Sequence, residues 1–326
     1  MNNNSTYYFD NPMLWLRVCI KYVMYARQEY KGMVYLFLFL AALFWGGSFI
    51  ATRYALTLGG FTVFSLLMFR FLISSLILVT ISLVRKIEAL KAGDIGKLFL
   101  VGLVYPGLYF LFETTGIERT PAFISSIIIA SIPVLTGIMA RIFLKEHLNF
   151  RGWAGVFISI AGITLVVLGE NGGRKVSGGD ISLIGVLLVF GAALTGAFYT
   201  TTTRYLLSRY KPLTLTAFQN VLAFIFFSPL GIIQLTGRQF SVNGWGVVSV
   251  LFLGVFASVV AFLSFNKALS LMEAGRASLF LNTIPIISLV LAWLFLGERI
   301  TVVQLAGILV VVSGVTLASI GKGDYS

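Results

Sequence analysis

Apolar residues in this chain come in long blocks separated by short polar connectors. If roughly 17–25 apolar residues make a bilayer-crossing helix, ten spans are predicted. They lie near 34–57, 62–84, 97–117, 121–144, 152–169, 181–203, 213–235, 245–267, 275–296 and 302–320. Most connectors are only a few residues long, so consecutive helices should be antiparallel neighbours. The chain then divides into an N-terminal segment (1–32), five spans (33–168), a polar linker (169–180), five further spans (181–320) and a short tail (321–326). The predicted fold class is an all-α integral membrane protein.

The same pattern occurs twice. Residues 109–168 align without a gap to 261–320, and about 15 of the 60 paired positions are identical, which marks an internal repeat. Shared positions include Phe110/Phe262, Pro133/Pro285, Glu146/Glu298, Gly155/Gly307 and Gly162/Gly314. Upstream, "AALFWGGSFIATRY" at 41–54 matches "AALTGAFYTTTTRY" at 192–205. Five spans per copy is an odd number, so the second copy must enter the membrane upside down relative to the first. Inverted repeats of this kind place a substrate site where the halves meet, often beside interrupted helices. Pro133 and Pro285, each inside a span, lack the amide hydrogen that the carbonyls of Ile129 and Leu281 would need. They are the candidate gating or kink pair. Glu146 and Glu298 end their spans and read as structural, with Lys145, Arg151 and Arg299 as nearby cations.

Charge fixes an orientation. With the N-terminus inside, the outer connectors hold only Arg53, Arg119, Arg174, Lys175, Arg238 and Arg299, and the other connectors and tails carry the bulk of the basic residues. That bias predicts both termini in the cytoplasm. The net charge of +12 therefore belongs to membrane orientation and not to nucleic acid, because no basic face remains to follow a phosphate backbone. Residues 1–31 lack the apolar core and small-residue cleavage site of a signal peptide. They read either as an interfacial segment on the cytoplasmic side or as an extension upstream of Met24 or Met33.

Composition narrows the chemistry. Charged residues make up 11% of the chain, against about 25% in soluble domains. Cys19 and His147 are the only residues of their types, which excludes an internal disulfide, a cysteine metal cluster and a two-histidine zinc motif. The Gly-rich linker "GENGGRKVSGGD" lacks the strand, helix and Gly-Lys-Ser/Thr ending of a phosphate loop. No cofactor and no metal is expected. An intramembrane enzyme would need a convergent nucleophile and base, and the sequence offers none. A receptor or accessory role would leave the duplication without a purpose.

Polar residues inside spans are costly in lipid and so mark candidate sites. Arg70 in the second span and Glu113 in the third lie at comparable depth. They read either as a buried ion pair fixing two helices, or as a substrate-binding arginine and a proton-exchanging glutamate. Tyr105, Tyr109 and Glu113 share one helical face. In the second half the candidates are polar and uncharged: Tyr199, Gln219, Asn220, Asn266 and Asn282. About half of such residues should be interhelical glue.

"WGGSF" in the first span, the block from Pro133 through "FLKEHLNFRGWAGVFISIAGITLV", and its twin from Pro285 through "FLGERITVVQLAGILVVVSGVTL" resemble the drug/metabolite transporter superfamily, specifically its ten-helix EamA-type permeases. The resemblance covers nearly everything from 33 to 320. It implies two inverted five-helix halves around a central cavity, with Trp45 of the family-like motif as an aromatic wall. It also implies a plasma-membrane permease or exporter of small metabolites, amino acids or related compounds, working by alternating access. A nucleotide-sugar or organic-phosphate exchanger of the same superfamily is the alternative. The expected partners are a small-molecule substrate, the lipid bilayer and, if transport is coupled, protons.

Overall fold

A computed structural model describes residues 12–85, 87–88, 90–144, 150–168, 182–236, 241–271, 281, 283–297 and 301–320. Among them the structure is helical, with no strand. The helices are α1 (Pro12–Thr57), α2 (Val63–Arg85), α3 (Ile95–Glu118), α4 (Ala122–Ile129), α5 (Ile132–Leu144), α6 (Phe150–Leu168), α7 (Leu183–Leu206), α8 (Pro212–Thr236), α9 (Gly244–Leu271), α10 (Ile284–Leu296) and α11 (Val302–Ile320). Seven stretches among the described residues are long and apolar enough to cross a membrane. They are Gly32–Thr57, Val63–Arg85, Ile95–Glu118, Ala122–Met139, Leu183–Leu206, Pro212–Thr236 and Gly244–Leu271. Helices α6, α10 and α11 stand at the other three predicted positions. Helix α1 continues without a break from Pro12 and is about 69 Å long at 1.5 Å per residue. That is more than twice a hydrocarbon core of about 30 Å, so one end must project from it.

Local chemistry explains the helix ends. Ser182 accepts a bond from Gly185 N at the start of α7, and Asn243 accepts one from Gly246 N at the start of α9. Thr301 and Gln304 form a reciprocal capping box ahead of α11, with Thr301 N to Gln304 Oε1 at 2.9 Å and Gln304 N to Thr301 Oγ1 at 3.2 Å. Helix α10 stops at Gly297, whose φ of 64° is the left-handed conformation of a helix C-terminus. Large apolar side chains turned outward, such as Val84 at 78% and Phe295 at 70% exposure, suit a surface that meets lipid rather than water.

The interruption at Pro133 corrects the sequence expectation of a proline kink in mid-span. Helix α4 ends at Ile129. The chain turns through Ala130 and Ser131, and Pro133 is the second residue of a new helix. There its missing amide costs little, because the first turn has no intrahelical acceptor for it. The break is held by Ser131 Oγ donating to Ile128 O at 2.6 Å and by Val134 N donating to Ser131 O at 3.0 Å. Pro285 likewise stands second in α10. Hydropathy sees one apolar run because the turn is built from Ala and Ser, which do not interrupt it.

Packing between the first half (α1–α6) and the second (α7–α11) comes in matched pairs. Helix α1 packs on α9 and α10, and its repeat counterpart α7 packs on α3, α4 and α5. Helix α2 packs on α9, and α8 packs on α3. The counterparts α2 and α8 pack on each other, as do α6 and α11. In the α6–α11 contact a Cβ on Gly162 would stand 2.9 Å from Gly307 O, and one on Gly314 would stand 2.9 Å from Gly155 O. Gly162 and Gly314, one repeated pair, thus let the two backbones approach, each against a carbonyl of the other repeated pair, Gly307 and Gly155.

Candidate functional site

Three local devices build a cavity where the halves meet. The first is a pair of π-helical segments, Leu103–Leu108 in α3 and Leu253–Val260 in α9, at equivalent places in the two copies. Such widened turns leave backbone and side-chain groups free for other partners. In α3 the helix is interrupted at Tyr105 (φ −143°, ψ 117°), ahead of Pro106, and the Tyr105 ring lies against the cavity. In α9 the widened turn supplies Ala257 O to Trp45 Nε1 at 3.2 Å and Ser258 Oγ to Arg70 Nε at 2.8 Å.

The second device is the matched register of α1 and α7. Trp45, Ser48 and Phe49 line the cavity from α1, and their repeat counterparts Gly196, Tyr199 and Thr200 line it from α7. The third is the start of each proline-bearing half-helix. Ile132 and Ile284, each just before its proline, form part of the wall.

Register is shared between the walls, but chemistry is not. The first half contributes Arg70, Tyr105, Tyr109 and Glu113. The counterparts of Tyr105, Tyr109 and Glu113 in the second half are Ala257, Ala261 and Phe265. Arg70 is 2% exposed and Glu113 5%. No Arg70 nitrogen lies within 4.0 Å of a Glu113 oxygen, so the two do not form the direct ion pair that one sequence reading anticipates. The Arg70 guanidinium instead stands over Phe110, 4.3 Å from the ring centroid, and 5.6 Å from that of Phe71. Glu113 Oε1 accepts from the Tyr109 hydroxyl at 3.0 Å. The aromatic surround is continuous: Tyr105 stacks on Tyr199 at 3.8 Å, and Trp45 meets Phe262 and Phe265 at 5.0 and 5.1 Å.

Of the sequence candidates, Trp45, Arg70, Tyr109, Glu113 and Tyr199 meet in this cavity. Asn266 stands behind it, accepting from the Tyr199 hydroxyl at 3.1 Å and donating to Thr216 Oγ1 at 3.0 Å. Asn220 lies off the cavity and bridges α2 to α8, accepting from Ser74 Oγ at 2.7 Å while donating to Thr216 O at 2.8 Å. Gln219 is buried on α8 and does not line the cavity. These three amides are corrections to the cavity assignment, because helical spacing alone cannot say which buried face meets a neighbour and which meets a void. Asn282, Glu146 and Glu298 lie outside the described residues. The sequence reading passed over Phe262 and Ser258. The repeat pairing Phe110/Phe262 was a signal for the first; a lone serine in an apolar run gave none for the second.

The cavity measures about 50 Å³. At roughly 10–15 Å³ per water position, that is room for a handful of waters and too little for a metabolite. Among the places where loops of opposite halves meet, two correspond across the repeat. At the α1–α2 turn, Asn243 Nδ2 donates to Leu58 O at 2.8 Å, and Gly60 (φ 87°) fits so closely that a Cβ would stand 2.1 Å from Ser241 O. At the α7–α8 turn, Tyr210 donates to Asp94 Oδ2 at 2.8 Å, Arg209 Nη1 lies 3.6 Å from Asp94 Oδ1, and Lys211 N donates to Glu88 Oε1 at 2.7 Å. These are counterparts, because Asn243 and Asp94 each precede the third long helix of their half. Dehydration and the bond to Asp94 together raise the Tyr210 phenol above its ordinary range.

A model of the EamA-like transporter family matches residues 32–168 and again 183–320. An uncharacterized transporter of Archaeoglobus fulgidus is 30% identical over 85% of this chain and 95% of its own length. The transporter YdfC of Bacillus subtilis, also uncharacterized, is 26% identical over 83% and 86%. A protein of Streptantibioticus cattleyicolor named as a probable terminal-alkyne amino-acid exporter is 25% identical over 86% and 91%. One solved crystal structure superposes with a TM-score of 0.65 at 17% identity, covering 90% of this chain and 98% of that one, which speaks to fold alone. A family match to both copies of the repeat, on a helical frame built for a membrane, makes this chain a member of the EamA-like transporter family.

Proposed function

We propose that this protein is an alternating-access permease of the cell membrane that moves small metabolites, amino acids or related compounds, through the cavity between its halves. Ten spans in two inverted sets of five, with both termini cytoplasmic, form the working arrangement. The odd span count per copy, the basic bias of the inner connectors and the matched packing pairs all support it. The observation that carries the reading is the cavity itself. It is matched in register across the repeat, lined by buried charge, and too small for a solute as it stands. A site that must widen to load is what alternating access requires, and the half-helices at Pro133 and Pro285 are the elements beside it that can tilt. Among the described lining residues Arg70 is the one basic side chain, which suits a single carboxylate better than the phosphates of the alternative exchanger. The probable amino-acid exporter among the relatives agrees with that choice.

The test is flux of amino acids into proteoliposomes holding the purified full chain, with and without a pH gradient. If Glu113 carries a coupling proton, Glu113→Gln should abolish gradient-driven uptake while leaving exchange measurable. Unaltered gradient-driven uptake in that variant would exclude Glu113 as the carrier. Absence of flux for every amino acid would remove the substrate assignment.

A further inference from the structure

The two buried charges of the cavity are not joined in an ion pair, and each keeps hydrogen-bonding capacity unused. Arg70 uses one donor, Nε, toward Ser258 Oγ at 2.8 Å. Its Nη1 and Nη2 make no hydrogen bond among the described residues, although the side chain is 2% exposed. Glu113 has one hydrogen-bonding partner, Tyr109 on Oε1, and Oε2 has none among the described residues. Buried charges need counter-charges and hydrogen bonding to be stabilised, and these two face the same cavity without coming within 4.0 Å of each other. The first residues of α5 and α10, Ile132 and Ile284, also line this space, as does Ile129 at the end of α4. The second half adds a largely apolar wall of Tyr199, Phe262, Phe265 and Leu281.

We propose that Arg70 and Glu113 form a split clamp for one small zwitterion. Once the cavity has widened to admit it, the carboxylate docks on the free Nη donors of Arg70, the ammonium sits on Glu113 Oε2, and the apolar substituent rests on the second-half wall. Such a ligand brings both missing counter-charges at once and leaves the net charge of the cavity unchanged. A simple anion or a simple cation would satisfy one group and strand the other. Tyr109 and Ser258 are positioning residues, each fixing one arm of the clamp from its own helix. The assignment rests on the transport reading for where the solute goes, but binding can be measured without flux.

The experiment is a ligand-induced thermal shift on the purified full-length protein with leucine, leucinamide (no carboxylate) and N-acetylleucine (no ammonium). A ligand that binds the folded state raises its stability in proportion to occupancy. Leucine should bind the unaltered protein about 10- to 100-fold more tightly than either analogue, the range a charge-assisted hydrogen bond supplies. Arg70→Gln should erase the preference over leucinamide and keep the preference over N-acetylleucine, and Glu113→Gln should do the reverse. If either single variant fails to fold, the double variant R70Q/E113Q, which strands no charge, should fold and bind all three probes alike. Equal binding of leucine and leucinamide by the unaltered protein overturns the clamp, as does retained selectivity in the double variant or no shift with leucine. Selective binding without flux would keep the clamp and remove the transport reading instead.

Discussion

At the residue scale, the duplication is visible as the same bond made twice. Arg53 near the end of α1 donates to Ile117 O at 2.8 Å and Glu118 O at 2.5 Å, the last carbonyls of α3. Its counterpart Arg204 near the end of α7 donates to Leu269 O at 2.5 Å, close to the end of α9. A cation on the open carbonyls of a helix C-terminus satisfies groups that lipid could not. Arg53→Gln and Arg204→Gln should therefore each cost about 2 kcal/mol, the usual value of a hydrogen bond to a charged group. Thermal unfolding in detergent micelles would check this, and a drop in one variant without a comparable drop in the other would show that the two bonds are not equivalent. The sequence carried this much in part: "TRY" ends both matched stretches, but nothing in it said which carbonyls the arginines reach.

At the element scale, the α6–α11 pair depends on backbone contact through glycine. Gly162→Val and Gly314→Val should each separate the helices and lower the melting temperature by several degrees, on the basis of about 1–3 kcal/mol for overpacking a tight contact. A surface change on the same helix, such as Ile160→Val, should leave it unmoved. Differential scanning fluorimetry reads both. Helix positions were legible because an apolar run is a length signal, and the seven stretches long enough to cross a membrane fall where hydropathy puts them. The break at Ala130–Ser131 was not, since small residues read as helix while local hydrogen bonds end it. The π-segments were hidden for a related reason: one extra residue per turn shifts the register without altering composition. Buried amides such as Asn220 and Asn266 were identifiable as polar residues in lipid. Their partners, Ser74 and Tyr199, come from other helices and are set by packing that no linear pattern records.

At the scale of the whole molecule, the proposed inverted arrangement makes a geometric demand: the two corresponding loop contacts must face opposite compartments. With Cys19 replaced by Ser, single cysteines at Lys91 and Ser241 should react with an impermeant maleimide from opposite sides of sealed vesicles. Labelling of both from one side would refute the upside-down relation between the copies. The two contacts also differ in kind. The contact at Leu58, Gly60 and Asn243 is made of amides and carbonyls packed without room for a side chain. The one at Asp94, Arg209 and Tyr210 includes an ion pair whose arginine is 48% exposed, and exposed pairs weaken as salt rises. One contact is therefore held electrostatically and the other by steric fit. In the proposed arrangement, brine on one side of the membrane loosens the contact exposed to it, and the contact on the far side does not register the change.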